Sequence, residues 1–442
     1  MAGQSRTSTP AELYEAARTR RRAPELAEFR AEYPFELDDF QLEGIESLLA
    51  GHSVLVCAPT GAGKTVVGEF AVHRAVRTGG KCFYTTPIKA LSNQKYRDLV
   101  GRYGADRVGL LTGDVSINPF APVVVMTTEV LRNMLYVGSD ALRGLSFVVL
   151  DEVHYLGDQF RGAVWEEVII HLPESVQIAA LSATVSNAEE FGEWLATVRG
   201  RTEVIVHEQR PVPLWQHMLV GNQLFDLFDD AAQTVLDPQL LRHVSDRLRR
   251  MDPGSRGRLR GPRPVRGWRP PSYPDVIARL DREALLPAIV FIFSRAGCDA
   301  AVRSCVQSGM WLTGEDERSE IEAIAEARTA GLASEDLAVL GYWDWLDGLR
   351  RGLAAHHAGL VPAFKETVEE LFSAGLVKAV FATETLALGI NMPARSVVLD
   401  RLRKFNGDTH VDLTPGEYTQ LTGRAGRRGI DLEGHGVVIW GP

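Results

Sequence analysis

Ser53-Val-Leu-Val-Cys-Ala-Pro-Thr-Gly-Ala-Gly-Lys-Thr65 decides the fold. Its first half is a short apolar run that reads as a buried strand, and its second half is a glycine-rich loop leading into helix-forming residues. A strand followed by such a loop and a helix is the setting a phosphate cradle requires. Glycines let consecutive backbone N–H groups turn toward phosphate oxygens, and the helix N-terminus behind them adds the positive end of its dipole. Thr60, Gly61, Ala62 and Gly63 are expected to form the cradle, Lys64 to reach the β- and γ-phosphates of ATP, and Thr65 to hold Mg²⁺. The strict pattern has glycine where Ala58 stands, a departure that narrows the type of loop without removing the site.

Outward from this stretch, β-rich apolar runs alternate with helical stretches: Cys82–Thr85, Val123–Met126, Phe147–Leu150 and Ile178–Leu181. Alternation of that kind predicts a parallel α/β sheet of the P-loop, RecA-like class. A second series opens at Ala288-Ile-Val-Phe-Ile-Phe293 and continues through Val377–Ala382 and Ser396–Leu399, so the fold class is α/β with two tandem parallel-sheet domains. The expected boundaries are a helical lead-in over 1–34, a first domain over 35–213, a linker over 214–286 and a second domain over 287–442. A helical insertion at about 310–352 interrupts the second domain, and its Trp343 and Trp345 read as core anchors. The lead-in reads as a polar, solvated helix over Pro10–Arg30 that stops before Tyr33-Pro34, because a proline disfavours helix in its predecessor.

Within the linker, eight arginines fall between Arg249 and Arg269 against the single acid Asp252, interspersed with glycine and proline. Such a composition forms no packed element. It serves as a flexible basic linker or as an extra phosphate contact, and the residues do not separate the two.

Size and charge bound the rest. A chain of 442 residues with 45% apolar and 24% charged residues suits a two-domain globular enzyme, and no apolar run approaches a bilayer span. With no leader pattern in Met1–Pro10, the default location is the cytoplasm. Lys plus Arg total 48 against 57 Asp plus Glu, a net charge of −9, so any nucleic-acid site must be a local basic surface. Cys57, Cys82, Cys298 and Cys305 have neither zinc-site nor disulfide-framework spacing and read as free, buried thiols.

Asp151-Glu-Val-His154 follows the strand Phe147–Leu150, which places its carboxylates at the C-terminal edge of the sheet, beside the phosphate loop in a doubly wound fold. Asp151 then suits the Mg²⁺ shell and Glu152 can polarise an attacking water. Gln420-Leu-Thr-Gly-Arg-Ala-Gly-Arg-Arg-Gly429 lies near the end of the second sheet. Phosphoryl transfer develops charge that arginine neutralises, and Arg424 and Arg427, three apart on an expected helical turn, would face one way toward a γ-phosphate. Hydrolysis would then depend on domain closure.

With these motifs in place, the chain closely resembles the superkiller-type DExH RNA helicases of superfamily two, and specifically their bacterial HelY-type members. The resemblance extends through Phe35–Gln41, Thr86–Lys95, Leu111–Asp114, Thr127–Arg132, Ser182–Thr184, His356–Gly359 and Ala382–Asn391. It implies that Gln41 reads the adenine edge while Phe35 or Phe40 packs on the ring, and that Gly389 and Asn391 approach the ATP. It assigns His154, Ser182, Ala183 and Thr184 to coupling between nucleotide state and strand grip. Pro87, Lys89, Gly113, Thr128 and Arg132 would line the strand path in the first domain, with Ser294, Arg295 and Thr383 in the second. Contacts of that sort hold phosphate and sugar, so weak sequence preference and strong salt sensitivity are expected. His356-His357 is read as structural, with no metal.

In Arg401–Leu413, Asn406-Gly407 predicts a two-residue hairpin turn between short strands. Related DNA helicases carry a longer hairpin here, so short strands favour RNA over DNA. Family members continue into winged-helix and helical ratchet domains, so the chain is expected to be a piece of a longer protein. The reading is an ATP-dependent helicase or translocase, 3′ to 5′ on single-stranded RNA, monomeric, with RNA-decay or ribonucleoprotein partners and no membrane. The alternatives are a nucleic-acid-gated ATPase scaffold that remodels protein–RNA complexes without separating strands, or a DNA helicase. A P-loop switch or transporter ATPase would leave the second sheet and its arginine motif unexplained.

Overall fold

The computed structural model describes residues 24–157, 162–183, 188–230, 232–251, 270–386, 392, 394–405 and 409–441. The chain divides into two compact units, Met1–Gln209 and Arg210–Pro442.

The first unit is built on an eight-stranded sheet. Its strands are β1 (Ser53–Cys57), β2 (Lys81–Thr86), β3 (Val108–Leu111), β4 (Ser116–Ile117), β5 (Val123–Thr127), β6 (Leu145–Leu150), β7 (Gln177–Ser182) and β8 (Thr202–Val206), in the order β4-β3-β5-β2-β6-β7-β1-β8. Every pairing is parallel except that of the edge strand β4 with β3. Helices cover both faces, so the central strands are apolar on both sides, as parallel sheets demand. In β1, Val54 and Val56 enter one core with Phe70 and Tyr84, while Leu55 and Cys57 enter the opposite core with Trp165 and Ile169. Because β1 and β6 flank β7, the chain leaves all three strands along one edge, at Ala58, Asp151 and Ala183.

The second unit carries a seven-stranded sheet. Its strands are β9 (Leu214–Val220), β10 (Gln223–Asp226), β11 (Ala288–Phe291), β12 (Leu353–His356), β13 (Ala379–Ala382), β14 (Ser396–Leu399) and β17 (Gly434–Ile439), in the order β10-β9-β17-β14-β11-β13-β12. A separate ribbon pairs β15 (Arg403–Phe405) with β16 (His410–Asp412). All main-sheet pairings are parallel except β9 with β10. Two tandem α/β sheets are therefore present, as the sequence pattern predicts.

Three expectations are corrected. The stretch assigned to a linker from 214 begins with two strands of the second sheet: β9 pairs along β17 from Leu214↔Gly434 to Leu219↔Ile439. Polar residues such as Gln216 and His217 masked the strand, because their side chains bond to Gln233 and His435 rather than reading as an apolar run. Helix Tyr273–Arg282 likewise packs Val276, Ile277 and Leu280 into the second core. The arginine-rich residues 252–269 lie outside the described residues. The lead-in helix is described only over Pro24–Ala31, and there it is packed rather than solvated: Phe29 is buried with its ring edge-on to Phe70 at 5.1 Å.

The third correction concerns the tryptophans of the insertion, which forms helices Glu315–Thr329, Ser334–Val339 and Tyr342–Arg350. Trp345 stacks on Phe364 at 4.1 Å, whereas Trp343 is 71% exposed, since the two sit two positions apart on one helix and cannot share its buried face. In the ribbon, Phe405 pairs with His410, and the Asn406-Gly407 turn expected from the sequence lies outside the described residues. The strands themselves are short, three residues each.

Candidate nucleotide and nucleic-acid sites

The loop after β1 turns through Gly61 and Gly63, whose φ values of +84° and +88° are in the region that favours glycine. Lys64 then adopts helical angles and helix Thr65–Thr78 begins. Lys64 is buried, and its Nζ lies 3.4 Å from Glu152 Oε2. The same carboxylate oxygen is 3.3 Å from His154 Nδ1. Burial holds the His154 ring below its ordinary pKa and outweighs the opposing charge of Glu152, so the imidazole is neutral near pH 7.

Glu152 itself has φ +55°, a left-handed conformation that costs a non-glycine residue of order 1–3 kcal/mol. Such strain persists only where surrounding structure over-determines it, and here it aims the carboxylate at Lys64. Its neighbour Asp151 is buried; Tyr84 Oη donates to Oδ2 at 2.9 Å, and the Glu152 amide donates to Oδ1 at 3.0 Å. Burial, then the adjacent Glu152 charge, pushes the Asp151 carboxyl up to about 6. A crowded pair of carboxylates is relieved by a cation, and the hard oxygens of Asp151 and Thr65 suit Mg²⁺. The donor set at this edge thus fits the expected ion.

Behind these groups lies a network the sequence reading missed. Lys95 Nζ sits 5.3 Å from the centre of the Tyr84 ring and 3.1 Å from Glu69 Oε1. Glu69 Oε2 also accepts from Tyr33 Oη at 2.6 Å and Arg102 Nη1 at 3.1 Å. The available signal was a phenol in the middle of an apolar strand, since a buried Tyr hydroxyl needs a partner.

Gln41 is fully buried and caps the loop from below: Nε2 donates to the Gly63 carbonyl at 2.9 Å and Oε1 accepts from the Asp38 amide at 2.9 Å. Phe40 is buried and stacks on His207 at 4.5 Å, while Phe35 is exposed near Tyr33. Ser182 is buried, and its carbonyl accepts from the Ala58 amide at 3.1 Å, which joins the end of β7 to the phosphate loop. Ala183 follows it; Thr184, Gly389 and Asn391 lie outside the described residues.

The strand-path residues of the first unit gather at the C-terminal ends of β2, β3 and β5. Lys89 is exposed and pairs with Asp114 at 2.9 Å, beside Gly113. Pro87 and Thr128 are buried, the Thr128 hydroxyl donating to the Thr86 carbonyl at 3.4 Å. Arg132 Nη1 is 3.7 Å from Glu167. In the second unit, Ser294 caps helix Arg295–Gln307 and Arg295 is exposed beside Gly359. Thr383 leaves the neighbouring strand β13, so these three residues also share one sheet edge. His356 and His357 are held separately, by Glu369 and by Asp299, each at 3.0 Å.

Helix Pro415–Thr422, capped by Thr414, carries Gln420 and ends before the arginines. The expectation that Arg424 and Arg427 share a helical turn is therefore corrected. Ala425 forms a bridge to Ala394, and the next position must be glycine: Gly426 has φ +87°, and any Cβ there would lie 2.6 Å from Val212. Arg424 is buried, and the turn is pinned by Arg210 Nη2, which donates to the Ala425 carbonyl at 2.9 Å. Arg427 follows Gly426 and pairs with Asp431.

Comparison with known proteins finds a helicase domain in each unit. Residues 38–191 match the DEAD/DEAH box helicase family and residues 342–429 the helicase conserved C-terminal domain. The chain is 65% identical over 428 residues to the probable helicase HelY of Mycobacterium tuberculosis, covering 95% of this chain and 47% of that protein. It is 44% identical over 425 residues to superkiller complex protein 2 of Homo sapiens, with 92% and 33% covered. Against the exosome RNA helicase MTR4 of Homo sapiens, identity is 41% over 426 residues, with 94% and 39% covered. The chain spans about half the length of the HelY protein it matches, 47%. No helix among the described residues is long and apolar enough to cross a membrane. On the paired helicase domains and these identities, the chain belongs to the DExH helicases of superfamily two, with the HelY-type members among its relatives.

Proposed function

We propose that this chain is the ATP-hydrolysing core of a translocase that moves 3′ to 5′ along single-stranded RNA. The observation that carries the reading is the cluster at one sheet edge of the first unit: a buried Lys64 behind a glycine cradle, the strained Glu152 carboxylate 3.4 Å away, and Asp151 beside it. Lys64 and the loop amides bind the β- and γ-phosphates, and Glu152 draws a proton from the attacking water. Thr65 and Asp151 would hold Mg²⁺, which would supply positive charge against the phosphates. Gln420, Arg424 and Arg427 of the second unit act on the charge that develops on the γ-phosphate. Gln41 stands near the nucleotide through its bond to Gly63, with adenine recognition falling to it and to Phe35. Gly389 and Asn391 complete the ATP contacts, and His154 and Ser182–Thr184 couple nucleotide state to the grip on the strand.

RNA is favoured by the three-residue strands of the β15–β16 ribbon and by relatives of which one is named an exosome RNA helicase. The strand lies along Pro87, Lys89, Gly113, Thr128 and Arg132 in one unit and Ser294, Arg295 and Thr383 in the other. The reading extends to a monomer that acts in the cytoplasm with RNA-decay partners.

ATPase stimulation by matched single-stranded RNA and DNA, together with separation of a fluorescent duplex bearing a 3′ overhang, tests the proposal. Preferential stimulation by RNA with strand separation is expected. Equal or stronger stimulation by DNA would overturn the RNA assignment, and hydrolysis with the duplex left intact would replace the motor by a scaffold.

A further inference from the structure

Arg427 is held by a single acid placed four residues ahead of it. Its Nε and Nη2 donate to Asp431 Oδ2 and Oδ1 at 2.7 and 2.9 Å, and its own backbone N–H donates to Oδ2 at 2.9 Å. The Asp431 amide in turn donates to the Arg427 carbonyl at 2.9 Å, so five residues close into one turn tied at both backbone and side chain. The Asp431 side chain is only 4% exposed, whereas that of Arg427 is 22% exposed. A surface ion pair would be worth little, but here the acceptor is buried and the pair is bidentate, which fixes the plane of the guanidinium as well as its position.

We propose that Asp431 is a positioning residue for ATP hydrolysis: it grips the Nε–Nη2 edge of Arg427 and presents the remaining Nη1 edge to the γ-phosphate. The inference rests on the reading of Arg427 as a group that acts on that phosphate. An arginine on a glycine-flanked turn has four side-chain torsions to order before it can act, and the clamp removes most of that freedom in advance. Burial by itself would raise the Asp431 carboxyl, but the hydrogen bonds from the Arg427 side chain and backbone outweigh it and hold the group below the usual carboxylate range. The clamp is thus ionised throughout the neutral range. Arg395 adds a second positive charge near the same carboxylate.

Steady-state ATPase, binding of a non-hydrolysable ATP analogue and thermal melting of the full chain, measured for Asp431→Asn, Arg427→Ala and the double variant, test this. In Asp431→Asn, kcat is expected to fall on the order of tenfold to a hundredfold, as misplacement of a catalytic group does, with analogue affinity within about twofold of the parent because ground-state binding is not at stake. The double variant is expected to be no slower than Arg427→Ala alone, since the acid acts only through the arginine. Should Asp431→Asn not fold, Asp431→Glu keeps the charge but displaces the guanidinium, and the same loss in kcat is expected. A slow Arg427→Ala with Asp431→Asn at or above parental kcat would overturn the clamp, showing that Asp431 is idle or a restraint. Parental hydrolysis by Arg427→Ala would instead overturn the reading of Arg427 itself.

Discussion

Lys64 Nζ lies 3.4 Å from Glu152 Oε2, so the cation proposed to hold phosphate and the carboxylate proposed to activate water form one ion pair. The two charges come from loops after β1 and β6, 88 residues apart, and neither is fully solvated. On the proposed function, phosphate drawn to Lys64 would compete with Glu152 for the same cation, so binding and activation would be linked through one contact.

Removal of each partner should therefore separate binding from chemistry. Lys64→Ala is expected to lose both nucleotide affinity and turnover. Glu152→Gln should keep analogue affinity while kcat falls by on the order of 10² to 10⁴, the range for a lost general base. Isothermal titration with a non-hydrolysable analogue beside a phosphate-release assay checks both, and undiminished turnover in either variant would refute the site.

Tyr84→Phe removes the hydroxyl that donates to Asp151 Oδ2 at 2.9 Å inside the sheet. A hydrogen bond to a charged group contributes about 1.5–3 kcal/mol, so the urea midpoint of the first unit should fall by that equivalent with the slope unchanged. Burial and the Asp151 charge keep the phenol protonated well above its ordinary range, so the loss should be independent of pH between 7 and about 9. An unchanged midpoint would show that the bond contributes nothing.

His435 predicts a pH response of the second unit. Burial, then the charge of His217 3.0 Å away, lowers its pKa to about 4, with Arg395 acting in the same direction and Glu433 and Asp431 opposing. The unfolded chain binds this proton near pH 6.5 and the folded one only near 4, so between those values the unfolded state holds more protons and stability rises with pH. The contribution is complete above about pH 6.5, declines as pH falls toward 4 and is absent below it. Melting temperature against pH should show this decline in the parent and a flatter profile in His435→Gln; identical profiles would count against the assignment.

The two tryptophans of the insertion should respond in opposite ways. Trp345→Ala removes the ring stacked on Phe364 at 4.1 Å and should cost about 2–3 kcal/mol, toward the lower side of large-to-small core changes because the ring is only half buried. Trp343→Ala, 71% exposed, should change stability by less than about 0.5 kcal/mol. Chemical denaturation of both variants decides the matter, and equal losses would mean that Trp343 is packed in solution.

Much of the molecule was determined by local sequence. Strands β1, β5, β6, β7 and β11 read as mainly apolar runs because helices bury both faces, and the loop after β1 declares itself because Gly61 and Gly63 hold backbone angles that favour glycine. The readings of Lys64, Asp151 and Glu152 followed from a glycine loop after one strand and an acid pair after another, which a parallel sheet must bring to one edge. Tertiary structure alone decided what depends on partners remote in the chain. Strand β9, second from the edge, carries polar residues whose hydrogen bonds are met by β10 and β17, so its pattern gave no apolar period to read. Tyr84 and Lys95 become neighbours of Asp151 only when β2 lies beside β6. The turn that separates Arg424 from Arg427 exists because Ala394 and Val212 close on Ala425 and Gly426, a packing constraint that outranks the local preference for another turn of helix.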